Sequence, residues 1–319
     1  GERLRFARQL GVEDVIVHPY AQSYMPDSFG LPTEGGEWGF EELVQFRSRI
    51  EDAGLRLGAI ENLPQSFYDD VILGREGADE QLAAVKRTVR NLGRAGVPIL
   101  GYHWMASRVW RSSLTRPARG GAETTAFDLA EMADAPNTHG REYTEAELWA
   151  NYERFLDAVL PVAEEAGVTL CLHPDDPPVP ELGGVPRLFR SVEALDRALS
   201  YRESESHGLE LALGVLSEMG EADRLPELIR RWGDRIGYVH FRDVEGTVPE
   251  FHEVFLDEGN YDEYAVVGAL ADAGFDGMLI PDHVPDIEGE PEWGPRGRAY
   301  TVGYIRGLVR AYYAEHPPS

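Results

Sequence analysis

Seven short runs rich in apolar and β-branched residues alternate with longer segments of helical period, and this alternation restricts the chain to βα units built on a parallel sheet. The runs are DVIVH (14–18), RLGAIE (56–61), PILGYHW (98–104), TLCLHP (169–174), LELALGV (209–215), IGYVHFRD (236–243) and GMLIPD (277–282). Between them, segments such as FEELVQFRSRIEDAG and ELWANYERFLDAVLPVAEEAG place apolar residues at i, i+3 and i+4 and often end on Gly. A doubly wound sheet accommodates seven strands, and so does a (β/α)8 barrel lacking one.

The segment ERLRFARQLG reads as a helix ahead of the first run. In a barrel a helix in that place follows a strand, so an eighth strand is expected before residue 1. Two long segments, 19–39 and 105–142, are rich in Gly, Pro and Ser/Thr. In a barrel such loops crown the C-terminal face, which makes them candidate lids rather than linkers. A single α/β barrel domain over residues 1–319 is the expectation, since barrels of this length are routine.

Composition narrows the function classes. Hydrophobic residues make up 43% of the chain, enough for a large core. No run approaches the roughly 18 consecutive apolar residues of a membrane span, and the first residues carry no apolar signal-peptide core. The single cysteine, Cys171, excludes a disulfide framework and a multi-cysteine metal site. With 30 basic against 56 acidic residues the formal net charge is −26, which opposes binding to nucleic-acid phosphates. Lys86 is the only lysine among the basic residues. Carboxylates in excess with lysine nearly absent suit a cytoplasm of molar salt, where the Debye length is about 3 Å and self-repulsion is screened. The chain therefore reads as a halophilic, cytoplasmic protein that acts on a small molecule, alone or as a homo-oligomer.

Metal-binding and polar side chains concentrate where the strands end: Glu61, His103, His173, His240, and Asp282 with His283. A lone His in such a place more often hydrogen-bonds a loop, but a parallel barrel gathers all these ends around one axis. Imidazoles with a carboxylate suit Mn²⁺, Fe²⁺, Co²⁺ or Zn²⁺, so His173, His240 and Asp282 form a candidate metal site. Cys171 lies two residues before His173, deeper on the same strand face, and reads as core. The segment HPDDPPVPELGG (173–184) holds Asp175 and Asp176 stiffly between the strand and two prolines, as turn residues or as groups for substrate hydroxyls and acid/base work. Arg242 offers a fork for a substrate carboxylate or an ion pair with a neighbouring acid, and Glu61 and His103 are further substrate contacts at the rim. Phosphate-loop, dinucleotide and nucleophile-elbow motifs are absent.

The segment PVAEEAGVTLCLHPDDPPVPELGGVPRLFRSVEALDRAL (161–199) closely resembles the corresponding stretch of mannonate dehydratases, metal-dependent enzymes on a xylose-isomerase-like TIM barrel. IEDAGLRLGAIENLP (50–64), RIGYVHFRD (235–243), FHEVFLDEGNYDEY (251–264), PDH (281–283) and GYIRGL (303–308) extend the resemblance over most of the chain. It implies dehydration of D-mannonate to 2-keto-3-deoxy-D-gluconate, with loss of the C2 proton and the C3 hydroxyl. It also implies a divalent ion, Mn²⁺ first and Mg²⁺, Fe²⁺ or Co²⁺ as alternatives, held by a His, a Cys, a second His and an Asp. His173, His240 and Asp282 match three of these ligands. The cysteine's strand reads GLELALGV here, with Ala212 or an immediate neighbour in its place. A family arginine is Ile280, and a family tyrosine falls at Ala299 or Tyr300. The match makes His283 the acid/base candidate, with Tyr300 as its partner. A metal-dependent sugar isomerase or epimerase on the same barrel, or a sugar-binding protein with a decayed site, are the competing readings.

Overall fold

The computed structural model describes residues 1–19, 30–291 and 293–317. In chain order its helices are α1 (Glu2–Gln9), α2 (Phe40–Glu51), α3 (Asp69–Leu73), α4 (Ala78–Ala95), α5 (Glu145–Ala166), α6 (Val192–Tyr201), α7 (Leu213–Glu218), α8 (Leu225–Trp232), α9 (Glu263–Asp272) and α10 (Pro295–Glu315). The strands are β1 (Asp14–Val17), β2 (Arg56–Ile60), β3 (Ile99–Tyr102), β4 (Ser113–Pro117), β5 (Glu123–Asp128), β6 (Thr169–Leu172), β7 (Glu181–Leu182), β8 (Val185–Pro186), β9 (His207–Ala212), β10 (Ile236–His240), β11 (Val244–Thr247), β12 (Glu250–Glu253) and β13 (Met278–Ile280).

Each of the seven apolar runs supplies one strand of a parallel sheet in the order β1-β2-β3-β6-β9-β10-β13. The helices between them bury one apolar stripe each: α4 turns Leu82, Val85, Val89 and Leu92 inward, and α5 turns Leu148, Tyr152, Phe155, Leu156 and Val159. Both helices stop at a glycine in the left-handed region, Gly96 (φ 70°) and Gly167 (φ 63°), which turns the chain back toward the next strand. The result is a nearly closed barrel. Among the described residues β1 and β13 share no hydrogen bonds, and a cavity of about 1460 Å³ runs along both strands and the flanking α1 and α10. A strand ahead of residue 1 would lie outside the sequence itself.

The segment 105–142 is more ordered than a lid loop. It supplies β4 and β5, which join β11 and β12 in a four-stranded antiparallel sheet of order β11-β12-β5-β4. Paired backbone hydrogen bonds between Glu123 and Asp286, at 2.9 and 2.8 Å, tie this sheet to the segment after β13. Of the other candidate lid, 19–39, residues 20–29 lie outside the described residues. Its end is anchored by Trp38, fully buried, whose indole N–H donates to the Pro32 carbonyl at 2.8 Å.

Candidate active site

His173 follows β6, Glu210 belongs to β9 and His240 ends β10, and these three strands are neighbours in the barrel. All three side chains are buried, and each offers one ligand atom within 4.8 Å of the others. Glu210 Oε1 lies 2.8 Å from His240 Nε2 and 3.4 Å from His173 Nε2. The other Glu210 oxygen accepts from the Tyr238 hydroxyl at 2.6 Å. That phenol fits because position 101 is glycine: a Cβ there would stand 2.3 Å from its oxygen. His173 Nδ1 donates to the Pro174 carbonyl, which leaves Nε2 as a lone-pair donor toward Glu210.

This donor set fits a divalent cation. Glu210 Oε1 and His240 Nδ1 are buried without a hydrogen-bond partner, and a buried carboxylate oxygen facing two imidazole nitrogens is short of a positive charge. Glu61, at the end of β2, joins the cluster with Oε2 at 2.7 Å from His240 Nε2 and Oε1 at 3.2 Å from His18 Nε2. Burial would raise its pKa, but His18 and His240 hold the carboxyl down at about 2.

Asp282 stands on the other side of the His240 ring, its Oδ1 at 3.5 Å from Nδ1, while its Oδ2 pairs with Arg242 Nε at 2.9 Å. Arg242 is buried, and its remaining nitrogens face Glu218 at 2.9 Å, Glu253 at 3.0 Å and Asp176 at 3.3 Å. Four protein carboxylates surround this guanidinium, while its Nε–H is left without a hydrogen bond. It faces the acidic wall of the site and makes the ion pairs with neighbouring acids that the sequence also offered for it. Gly214 permits the arrangement, since a Cβ there would lie 2.8 Å from Arg242 Nε. Arg111, just before β4, grips Asp176 with both nitrogens at 2.6 and 2.8 Å and reaches Glu253 at 3.0 Å. Asp176 is thus held by two arginines, Arg111 and Arg242. Glu218 is pushed up to about 8, first by burial and then by Asp176, against the pull of Arg242.

His283 is more open. Its side chain is 42% exposed, Nδ1 is 2.5 Å from Glu253 Oε1 and Nε2 is 3.6 Å from Asp282 Oδ1. With His18, Glu253 and Asp282 it lines the upper part of the cavity between β1 and β13. Asp175 is fully buried, and its Oδ2 accepts from the Phe189 amide at 2.6 Å. His103 accepts from the Met105 amide at 3.2 Å, and burial pushes it down to about 3, so it is neutral. Tyr300, on α10, donates to Asp257 and accepts from Arg119 at 3.3 Å, in a cluster of its own.

The structure thus brings Glu61, His173, His240, Asp282 and His283 together, with Arg242 and Asp176 behind them. Glu210, Glu253, Arg111, Glu218 and His18 also belong to the cluster and were not singled out from the sequence. Glu210 had one signal, an acid inside the apolar run LELALGV. Position 212, where the resemblance implies a thiolate, is a buried alanine. Glu210 sits two residues earlier on the same strand face and sends its carboxylate into the centre.

A barrel with metal-ligand side chains at its strand ends is a shape shared by many proteins, and comparison identifies which of them this chain is related to. The model of the D-mannonate dehydratase (UxuA) family matches residues 3–141 and 137–317. The chain is 31% identical over 334 residues to a mannonate dehydratase of Streptococcus pneumoniae (strain 70585), covering 94% of this chain and 90% of that one. The crystal structure of mannonate dehydratase from Streptococcus suis serotype 2 superposes with a TM-score of 0.83 at 27% identity, covering 97% and 96% of the two chains. A xylose isomerase domain protein from Planctomyces limnophilus shares the fold alone, with a TM-score of 0.61 at 16% identity over 98% and 92%. Near-complete coverage by the family and its relatives, on a xylose-isomerase-like TIM barrel, decides the assignment: the chain is a hydro-lyase of the D-mannonate dehydratase family.

Proposed function

We propose that the protein dehydrates D-mannonate or a closely related sugar acid, with a divalent ion at His173, Glu210 and His240. The observation that carries this reading is the Glu210 carboxylate, buried among two imidazoles with one oxygen unpartnered. Glu61 lies on the same His240 nitrogen as Glu210, and Asp282, the carboxylate that the family resemblance adds, faces the opposite nitrogen of that ring at 3.5 Å. Two imidazoles with carboxylates and no thiolate favour Mn²⁺, or Mg²⁺, Fe²⁺ and Co²⁺, over softer choices. When bound, the ion supplies positive charge to substrate oxygens as the C2 proton leaves.

The protein's own groups do the rest. His283 takes or gives the proton: like His18 it faces the cavity with an exposed edge, and it is the one of the two that the family resemblance marks for acid/base work. Asp175 and Asp176, engaged by Phe189 and Arg111, hold the loop after β6 and carry His173 into place. His103, neutral beside His173, and Glu61 line the approach. Tyr300 is the second proton-transfer candidate; its hydroxyl is bound to Asp257 and lies in the Arg119 cluster. The barrel acts as one domain over residues 1–319, with the antiparallel sheet as part of its active face.

The test is a panel of hexonic and pentonic acids incubated with Mn²⁺-loaded protein and assayed for 2-keto-3-deoxy acids. Product from D-mannonate or a stereochemical relative supports the reading. A protein that interconverts ketoses and forms no keto-deoxy acid would be an isomerase or epimerase instead.

A further inference from the structure

Glu253 and His283 come from parts of the fold that the barrel alone would not join. Glu253 closes β12, an inner strand of the antiparallel sheet flanked by β11 and β5. His283 lies in the segment after β13, on the cavity wall. A ring nitrogen 2.5 Å from a carboxylate oxygen is a donor, so Nδ1 carries the proton and Nε2 remains on the Asp282 side. The same Glu253 oxygen accepts from Arg111 and Arg242 at 3.0 Å each, and its side chain is only 6% exposed. Three groups on three segments therefore fix one carboxylate. The segment that holds His283 does not depend on this contact for its place, because the Glu123–Asp286 backbone pair already ties it down. What Glu253 adds is the orientation of the ring.

We propose that Glu253 is a positioning residue for His283: it holds Nδ1 as the protonated nitrogen and keeps Nε2 free to exchange a proton in the cavity. This rests on the dehydratase reading for its activity readout. The arrangement follows the general logic of an acid–base imidazole oriented by a buried carboxylate. The two arginines keep that carboxylate ionised and in register without touching the imidazole.

The experiment compares wild type, Glu253→Gln, Glu253→Ala, His283→Asn and the double variant Glu253→Gln/His283→Asn on the sugar acid that wild type turns over. Glu253→Ala should lose roughly 10²-fold in kcat and Glu253→Gln about tenfold, with KM changed by less than about threefold. The double variant should be no slower than His283→Asn by more than about threefold, because the two residues act as one unit. Glu253→Gln within about threefold of wild type, or a double variant showing the product of both single losses, overturns the proposal. Glu253→Gln preserves shape and can still accept from both arginines, so it serves if the alanine variant does not fold. A second readout needs no turnover: ¹⁵N-histidine spectra above the pH of imidazole titration. Wild type should show the His283 Nδ1–H tautomer, and Glu253→Ala, which removes the acceptor, a mixture; an unchanged tautomer contradicts the proposal. If wild type turns over no sugar acid, the dehydratase reading fails while these spectra still decide for or against Glu253.

Discussion

Glu210 and Ala212 share one face of β9, and in the proposed metal site the carboxylate would serve where the resemblance implies a thiolate. The exchange predicts that Glu210→Ala lowers Mn²⁺ affinity at least about tenfold by calorimetry while the melting temperature changes little. Unchanged affinity would remove Glu210 from the site. Glu218 offers a pH signature. Its folded-state pKa, about 8, lies above the ordinary 4.5, so the folded protein retains a proton that the unfolded chain releases. The corresponding stability is full below about pH 4.5 and is lost as pH rises toward 8. Melting curves should show wild type losing ground to Glu218→Gln across that window. Parallel curves would mean that the Arg242 pair keeps Glu218 ionised throughout.

At the scale of elements, the barrel was legible because each of its strands is an apolar run, half-buried in β1 and β13 at the open seam and buried on both faces in β9, and such runs stand out between amphipathic helices. The antiparallel sheet was not. SLTRP and ETTAFD, the sequences of β4 and β5, mix polar and apolar residues, and β5 finds its partner β12 more than a hundred residues away. The legibility of the site follows the same division. Glu61, His173, His240 and Asp282 announced themselves by standing at strand ends, whereas Glu253 and Arg111 arrive on or beside strands whose sequences carry no apolar pattern. Arg242 illustrates a different limit, because its spacing from His240 gives its face but not the four carboxylates that occupy it. The sheet's role in the site is testable through Arg111. Replacing it with Ala strands Asp176 and Glu253 as buried charges with one arginine between them. The expected cost is about 3–5 kcal/mol of stability, measured by denaturant unfolding of otherwise identical proteins. A loss below about 1 kcal/mol would show that the two acids are solvated or neutral.

For the whole molecule, charge sets the conditions under which the site can form. Exposed arginine–carboxylate pairs such as Arg87–Glu37, Arg154–Asp79 and Arg230–Asp272 cross between elements, but each exposed pair contributes about 0–1 kcal/mol and weakens with salt. The net charge of −26 acts in the opposite sense, since salt screens repulsion across the entire surface. Repulsion should prevail, so the melting temperature is predicted to fall as KCl is reduced from about 2 M to 0.1 M. A flat or rising profile would show that the local pairs dominate.

The central claim is that this barrel carries out a metal-dependent dehydration of a sugar acid. The measurement that tests it most directly is formation of 2-keto-3-deoxy acid from D-mannonate by protein stripped with a chelator, before and after Mn²⁺ is returned in molar KCl. The account predicts negligible product from the stripped protein and recovery on adding Mn²⁺ to wild type, with no recovery for a His173→Ala/His240→Ala variant. Turnover that persists without metal, or that returns equally in the double variant, would contradict it.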